Sequence, residues 1–144
     1  MLDWNQLHQN LEKASNRHRQ LASRFDQFAK FVAEQVTAQP FHIKGIGITL
    51  CLDQGFFTTT FAGRTLQFVF ASVPEASGTL VGQVTCYLKK EIPALEYTSI
   101  GEFRFTGSGQ TTLVDPKENE PITIDVDLAA LYVALNFIHE SLSK

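Results

Sequence analysis

The chain is poor in the residues that make chemistry easy to recognise. It has two cysteines in 144 residues. Cys51 and Cys86 lie far apart, with no C-x-x-C and no metal-ligand spacing. They are therefore expected to be reduced thiols of a cytoplasmic protein rather than a disulfide or zinc framework. Cys86 shares its apolar parity with Val84 and Leu88, which suits an inert core thiol. None of His8, His18, His42 and His139 lies one helical turn from another, or beside a cysteine in ligand spacing. No metal and no cofactor are expected, and no catalytic constellation is legible, so enzymatic activity is not the favoured class. No apolar run approaches the ~20 residues of a membrane span. Charged and amide residues begin at Asp3 with no apolar h-region, so no secretory signal is expected. There is no N-x-S/T acceptor, internal repeat or low-complexity tract.

Charge is also scarce. Only 19% of residues are Asp, Glu, Lys or Arg, low enough to suggest a buried or shared face. The net charge of −3 argues against a sequence-independent nucleic-acid binder. With 44% apolar residues, the chain can build one core, and 1–144 reads as a single domain.

What is present is pattern. Residues 1–40 read as a long helix, 41–121 as a β-meander and 122–144 as a C-terminal helix. Asp3 suits the first N-cap, Gln6 completes a capping box, and Leu2 and Leu7 fit a hydrophobic staple. Trp4, Leu7, Leu11, Ala14, Leu21, Phe25, Phe28 and Val32 then recur at alternating three- and four-residue spacing, interrupted by His18. Pro40 is the expected stop, with Gln39 biased to extended backbone.

The two halves of this helix differ. From Leu21 to Val32 the stripe is widened by Ala22, Ala29 and Phe31, as a helix covering a sheet requires. From Trp4 to Ala14 it is narrow, closer to a helix–helix seam. About 35 helical residues span roughly 50 Å, against about 33 Å for a ten-residue strand. The helix must either overhang its sheet or break near Ser15–Asn16 and fold back. Trp4, Leu7, Leu11 and His18 are accordingly the candidate interaction surface. A histidine at a seam position would be pH-sensitive if it met its symmetry mate; the plainer expectation is a partly exposed, hydrogen-bonded side chain.

The remainder alternates with period two. Ile46, Ile48, Leu50 and Leu52 share one face, and Cys51 lies on the other. Asp53-Gln54-Gly55 reads as a turn needing positive φ at Gly55. Leu66, Phe68 and Phe70 face the core, as do Leu80, Val84, Cys86 and Leu88. Tyr97, Phe103 and Phe105 are placed on one face. Gly107-Ser108-Gly109 reads as a hairpin tip: the glycines faintly suggest a phosphate loop, but no lysine and no helix follow. Ile122–Ile124 suits a short edge strand. Asp125 or Asp127 is the expected cap of the last helix, whose stripe of Leu128, Leu131, Leu135, Ile138 and Leu142 is widened by Tyr132, Val133 and Phe137, so that the helix is expected to be largely buried. Short turns favour sequential antiparallel strands. The fold class is α+β: a long N-terminal helix, an antiparallel meander of about six strands and a C-terminal helix, both helices on one face. A strongly curled sheet or partial barrel is the alternative.

Charge is unevenly placed. Lys13, Arg17, Arg19, Arg24 and Lys30 on the first helix face only Asp26 in the same stretch. Asp115, Glu118, Glu120, Asp125 and Asp127 face only Lys117. The two regions suit complementary attraction, within the chain or between copies, or else two solvated surfaces.

In size, acidity and α/β mix the chain resembles the small dimeric chaperones of type III secretion. It departs from them where it should match. They carry a mid-chain helix between strands, whereas 74–78 and 91–96 are too short and contain Pro74 and Pro93. No residue role follows from the likeness.

The expected function is a small cytosolic protein–protein interaction module, homodimeric and able to bind another protein. The alternative is a small apolar-ligand domain with a pocket between curved sheet and last helix, consistent with twelve phenylalanines.

Overall fold

The computed structural model describes residues 1–38 and 42–144. The expected stop, Gln39–Pro40, lies outside the described residues, and the first helix ends before reaching it, at Gln35 with Val36 as C-cap.

Helix α1 runs without interruption over Trp4–Gln35. Asp3 sits in extended backbone as N-cap, its Oδ1 accepting from the Gln6 amide at 2.9 Å while Gln6 Oε1 accepts from the Asp3 amide. The capping box satisfies two free amides of the first turn. No break occurs at Ser15–Asn16, so the fold-back escape is ruled out and the helix overhangs.

Seven strands follow: β1 Gly47–Cys51, β2 Phe56–Phe61, β3 Arg64–Pro74, β4 Leu80–Lys90, β5 Glu96–Phe105, β6 Gln110–Val114 and β7 Pro121–Thr123. They pair antiparallel in simple sequential order, β1 and β7 forming the two edges. The sheet is open, not closed into a barrel. Between β1 and β2 a 3-10 turn at Leu52–Gln54 ends on Gly55, whose φ of +80° is the positive angle that the sequence required. Ala62 and Gly63 both take positive φ in the two-residue β2–β3 turn, the backbone twist such hairpins favour.

Helix α2, Asp127–Ser141, returns across the same face as α1. The core is largely aromatic. Phe25 and Phe28 of α1, Phe57, Phe68 and Phe103 of the sheet and Phe137 of α2 form a connected set of ring contacts. Cross-strand register places Phe57 beside Phe68, and Phe68 beside Cys86, which fixes one buried face through β2, β3 and β4.

Three expectations need correction. Tyr97 does not share the core face with Phe103 and Phe105. The β4–β5 register shifts between Cys86 and Tyr87, so Cys86 pairs with Gly101 while Tyr87 pairs with Ser99. One extra residue in β5 inverts the parity, and Tyr97 emerges on the outer face, 49% exposed. Neither Asp125 nor Asp127 is the N-cap of α2, although Asp127 Oδ1 accepts from the first-turn amide of Leu128 at 2.9 Å. The N-cap is Val126 with no side-chain cap bond; Asp127 is the first helical residue, and Asp125 is engaged elsewhere. The stripe of α2 holds in its middle but not at its ends or at Tyr132: Leu131, Val133, Phe137 and Ile138 are buried with Ala130 and Ala134, while Leu128, Tyr132 and Leu142 are exposed.

Candidate functional site

The sheet covers only part of α1. Leu21, Phe25, Phe28, Ala29 and Val32 are buried, yet every residue from Met1 to Lys13 is exposed. The overhang begins about where the helix passes the end of β3 and the start of β4. There Arg17 Nε donates to the Leu80 carbonyl at 3.1 Å. The His18 Nδ1 lies 2.6 Å from Ser72 Oγ, and its ring leans on Phe70 with centroids 5.7 Å apart. His18 is thus held by the chain's own sheet, as an exposed, hydrogen-bonded side chain rather than an open seam position.

Beyond it, Trp4 is 81% exposed, Leu11 68% and Leu7 39%. These are the residues singled out from the sequence, and the fold leaves all three without cover. They lie in the same stripe as Leu21, Phe25, Phe28 and Val32, because the three-four spacing continues through Ala14 and His18. The thirteen residues Trp4–Asn16 extend about 20 Å at 1.5 Å per residue. Fully covering a side chain of this kind is worth roughly 1.5–3 kcal/mol each. Contiguous apolar exposure on a helix points to a partner more strongly than isolated exposed leucines do.

Sequence reasoning missed what flanks the overhang. Asn10, Lys13, Ala14 and Arg17 on α1 and Gly78, Thr79 and Leu80 at the β3–β4 turn line an open groove of about 590 Å³. Ala14 is its smallest side chain, and Arg17 Nη1 also donates to Gln20 Oε1 at 3.3 Å. Ala14 was legible as a stripe position; that a turn 64 residues onward closes over it was not.

The basic α1 and the acidic 115–127 stretch meet through one ion pair among the described residues. Arg24 Nη1 stands 2.6 Å from Asp125 Oδ2. Arg24 Nε and Gln20 Nε2 both donate to the Gly107 carbonyl, so the β5–β6 turn is clamped to α1. Gly107–Gly109 is therefore a hairpin tip held from below, as the turn reading expected.

Two other regions bear on chemistry. Burial pushes the Cys86 thiol up to about 12, with a smaller push from Glu140, which keeps it protonated and unreactive. Cys51 pairs with Phe56 on the outer face and is half-buried. A second groove, about 210 Å³, lies between α2 and the β6–β7 edge and is lined by Leu113, Ile122, Tyr132, Val133 and Phe137. It is smaller than the about 300–1,000 Å³ typical of small-molecule clefts. Among the described residues no three His, Cys, Asp or Glu side chains gather as metal ligands, and no helix is long and apolar enough to cross a membrane. No protein-family model, curated protein or solved structure matches the chain.

Proposed function

We propose that this chain is a small cytosolic protein–protein interaction module that works as a homodimer, with the exposed half of α1 as its contact surface. One observation carries the proposal: the apolar stripe that α1 buries against its own sheet continues past the sheet end onto Leu11, Leu7 and Trp4, which none of the described residues covers. A helix with no further role would have become polar there, since exposed apolar stripes favour association. The free thiols of Cys51 and Cys86 suit a reducing compartment. Once paired, the two copies present outer sheet faces and edge strands on which a further protein can dock.

Sedimentation equilibrium tests the dimer. The expected result is a dimer at tens of micromolar concentration that reverts to monomer on Leu7→Ser/Leu11→Ser, with helix content retained by circular dichroism. A wild-type monomer at that concentration would overturn the proposal.

A further inference from the structure

We infer that a second copy of this chain docks antiparallel along the α1 overhang, its Trp4 seated over Ala14 in the groove beside the β3–β4 turn. The inference rests on the dimer proposed above and specifies its geometry.

Trp4, Leu7, Leu11 and Ala14 occupy the alternating core positions of a heptad seam. In an antiparallel pair these positions meet in reverse order. Trp4 of each copy then opposes Ala14 of the other, and Leu7 opposes Leu11. The largest side chain of the stripe meets its smallest at both ends, while the two leucines fill the middle. A parallel pair would stack Trp4 on Trp4 and leave Ala14 facing Ala14, overfilled at one end and hollow at the other.

The groove supports the same pairing. Ala14 and its α1 neighbours line it together with Gly78, Thr79 and Leu80, and Arg17 is bonded to the Leu80 carbonyl at 3.1 Å. The groove volume of about 590 Å³ leaves room for an aromatic side chain. The register has little freedom. Sliding the partner one heptad further inward would set its Trp4 on Leu21, which the chain's own sheet already buries completely. Sliding it outward would empty the groove and separate Leu7 from Leu11.

Charge complementarity points the same way. Asp3 and Arg17 occupy equivalent flanking positions, which face each other across an antiparallel seam. Each pairing therefore sets one copy's Asp3 against the other copy's Arg17, twice by symmetry. Asp3 uses Oδ1 for capping and leaves Oδ2 to accept. Arg17 is already fixed by Leu80 and Gln20, so little ordering remains to be done. Asn10, at the same flanking position midway between them, meets its own symmetry mate across the axis.

The test uses the full chain in a Cys51→Ser background, Cys86 being fully buried. Asn10→Cys is expected to form a disulfide-linked dimer under mild oxidation, whereas Gln9→Cys, on the far side of the helix, is not. Trp4 is the only tryptophan, so its emission reports its own burial and should shift to shorter wavelength as the dimer forms. Ala14→Trp, which fills the groove, should weaken the dimer by about tenfold or more with unchanged circular dichroism. Asp3→Asn preserves the cap but removes the charge. It should weaken the dimer by about two- to fivefold and flatten its salt dependence. A dimer by sedimentation that fails to cross-link through Asn10→Cys, or that is indifferent to Ala14→Trp, overturns this geometry while leaving the homodimer standing. A monomer with unshifted Trp4 emission overturns both.

Discussion

Arg24 and Asp125 join the middle of α1 to the turn that leads into α2, 101 residues apart, at 2.6 Å. The same guanidinium donates through Nε to the Gly107 carbonyl, so one side chain ties together α1, the β5–β6 turn and the entry to α2. Both partners of the ion pair are mostly shielded from solvent, which raises its worth above that of a surface pair but also makes a lone survivor costly.

Breaking this clamp should destabilise the fold by more than either charge implies. Arg24→Ala and Asp125→Ala are each expected to cost about 1–3 kcal/mol, and the double variant about as much as the worse single one. Arg24→Lys should not rescue, because lysine has no second donor fixed at the Nε position. Urea unfolding of the four proteins measures the coupling; full additivity would show that the two side chains do not act together.

Thr59 offers the opposite case. Its hydroxyl is buried on the core face of β2 with no hydrogen-bond partner among the described residues. Thr59→Val keeps the shape and removes the unmet polar atom, so it should stabilise the protein by up to about 1 kcal/mol. A melting temperature lowered by the substitution would contradict this.

The two thiols should separate cleanly by reactivity. Cys51 is expected to react with an aromatic disulfide reagent in the native state, and Cys86 only after unfolding, since burial holds its thiol at about 12. The linkage has a definite sign. The folded-state value lies above the ordinary thiol value of 9.0, so the thiolate is disfavoured in the native state. Stability is therefore full below that ordinary value and falls as pH rises from there toward about 12. Cys86→Ala should remove this alkaline loss while costing stability at neutral pH through the cavity it leaves.

Asp26 should make a smaller acid-side contribution. Partial burial on α1 raises its carboxyl above the ordinary 3.8, and Lys30 one turn on opposes the shift. A raised folded-state value means that the charged form is the disfavoured one. Its unfavourable contribution is absent when the group is protonated and grows as pH rises from the ordinary value through the raised one. Asp26→Asn is expected to be more stable than wild type at neutral pH, with the difference shrinking as pH falls below the ordinary carboxylate range. Thermal melts across that window would expose a wrong sign as an advantage that grows on acidification.

Much of the architecture was written in local pattern. The Asp3–Gln6 box, the turn at Gly55 and the alternation through Leu66, Phe68, Val84, Cys86 and Leu88 each depend on near neighbours, and each appears as read. Tyr97 and Asp125 show where local pattern stops. Parity along β5 is set by an extra residue whose presence depends on how β4 pairs, and alternation alone cannot register it. Asp125 looks like a cap because it precedes a helix, yet an arginine from the first helix reaches it first.

The opening helix divides along the same line. Its length, its cap, its three-four stripe and the excess of helix over sheet follow from the sequence by itself, because rise per residue and side-chain spacing are local quantities. Only the tertiary structure decided that the helix stays whole through Ser15–Asn16, that His18 is held by Ser72 and Phe70, and that the β3–β4 turn closes a groove over Ala14. Those are contacts between residues far apart in the chain. Their geometry is set by how seven strands twist and stack beneath α1, which no window of neighbouring residues contains.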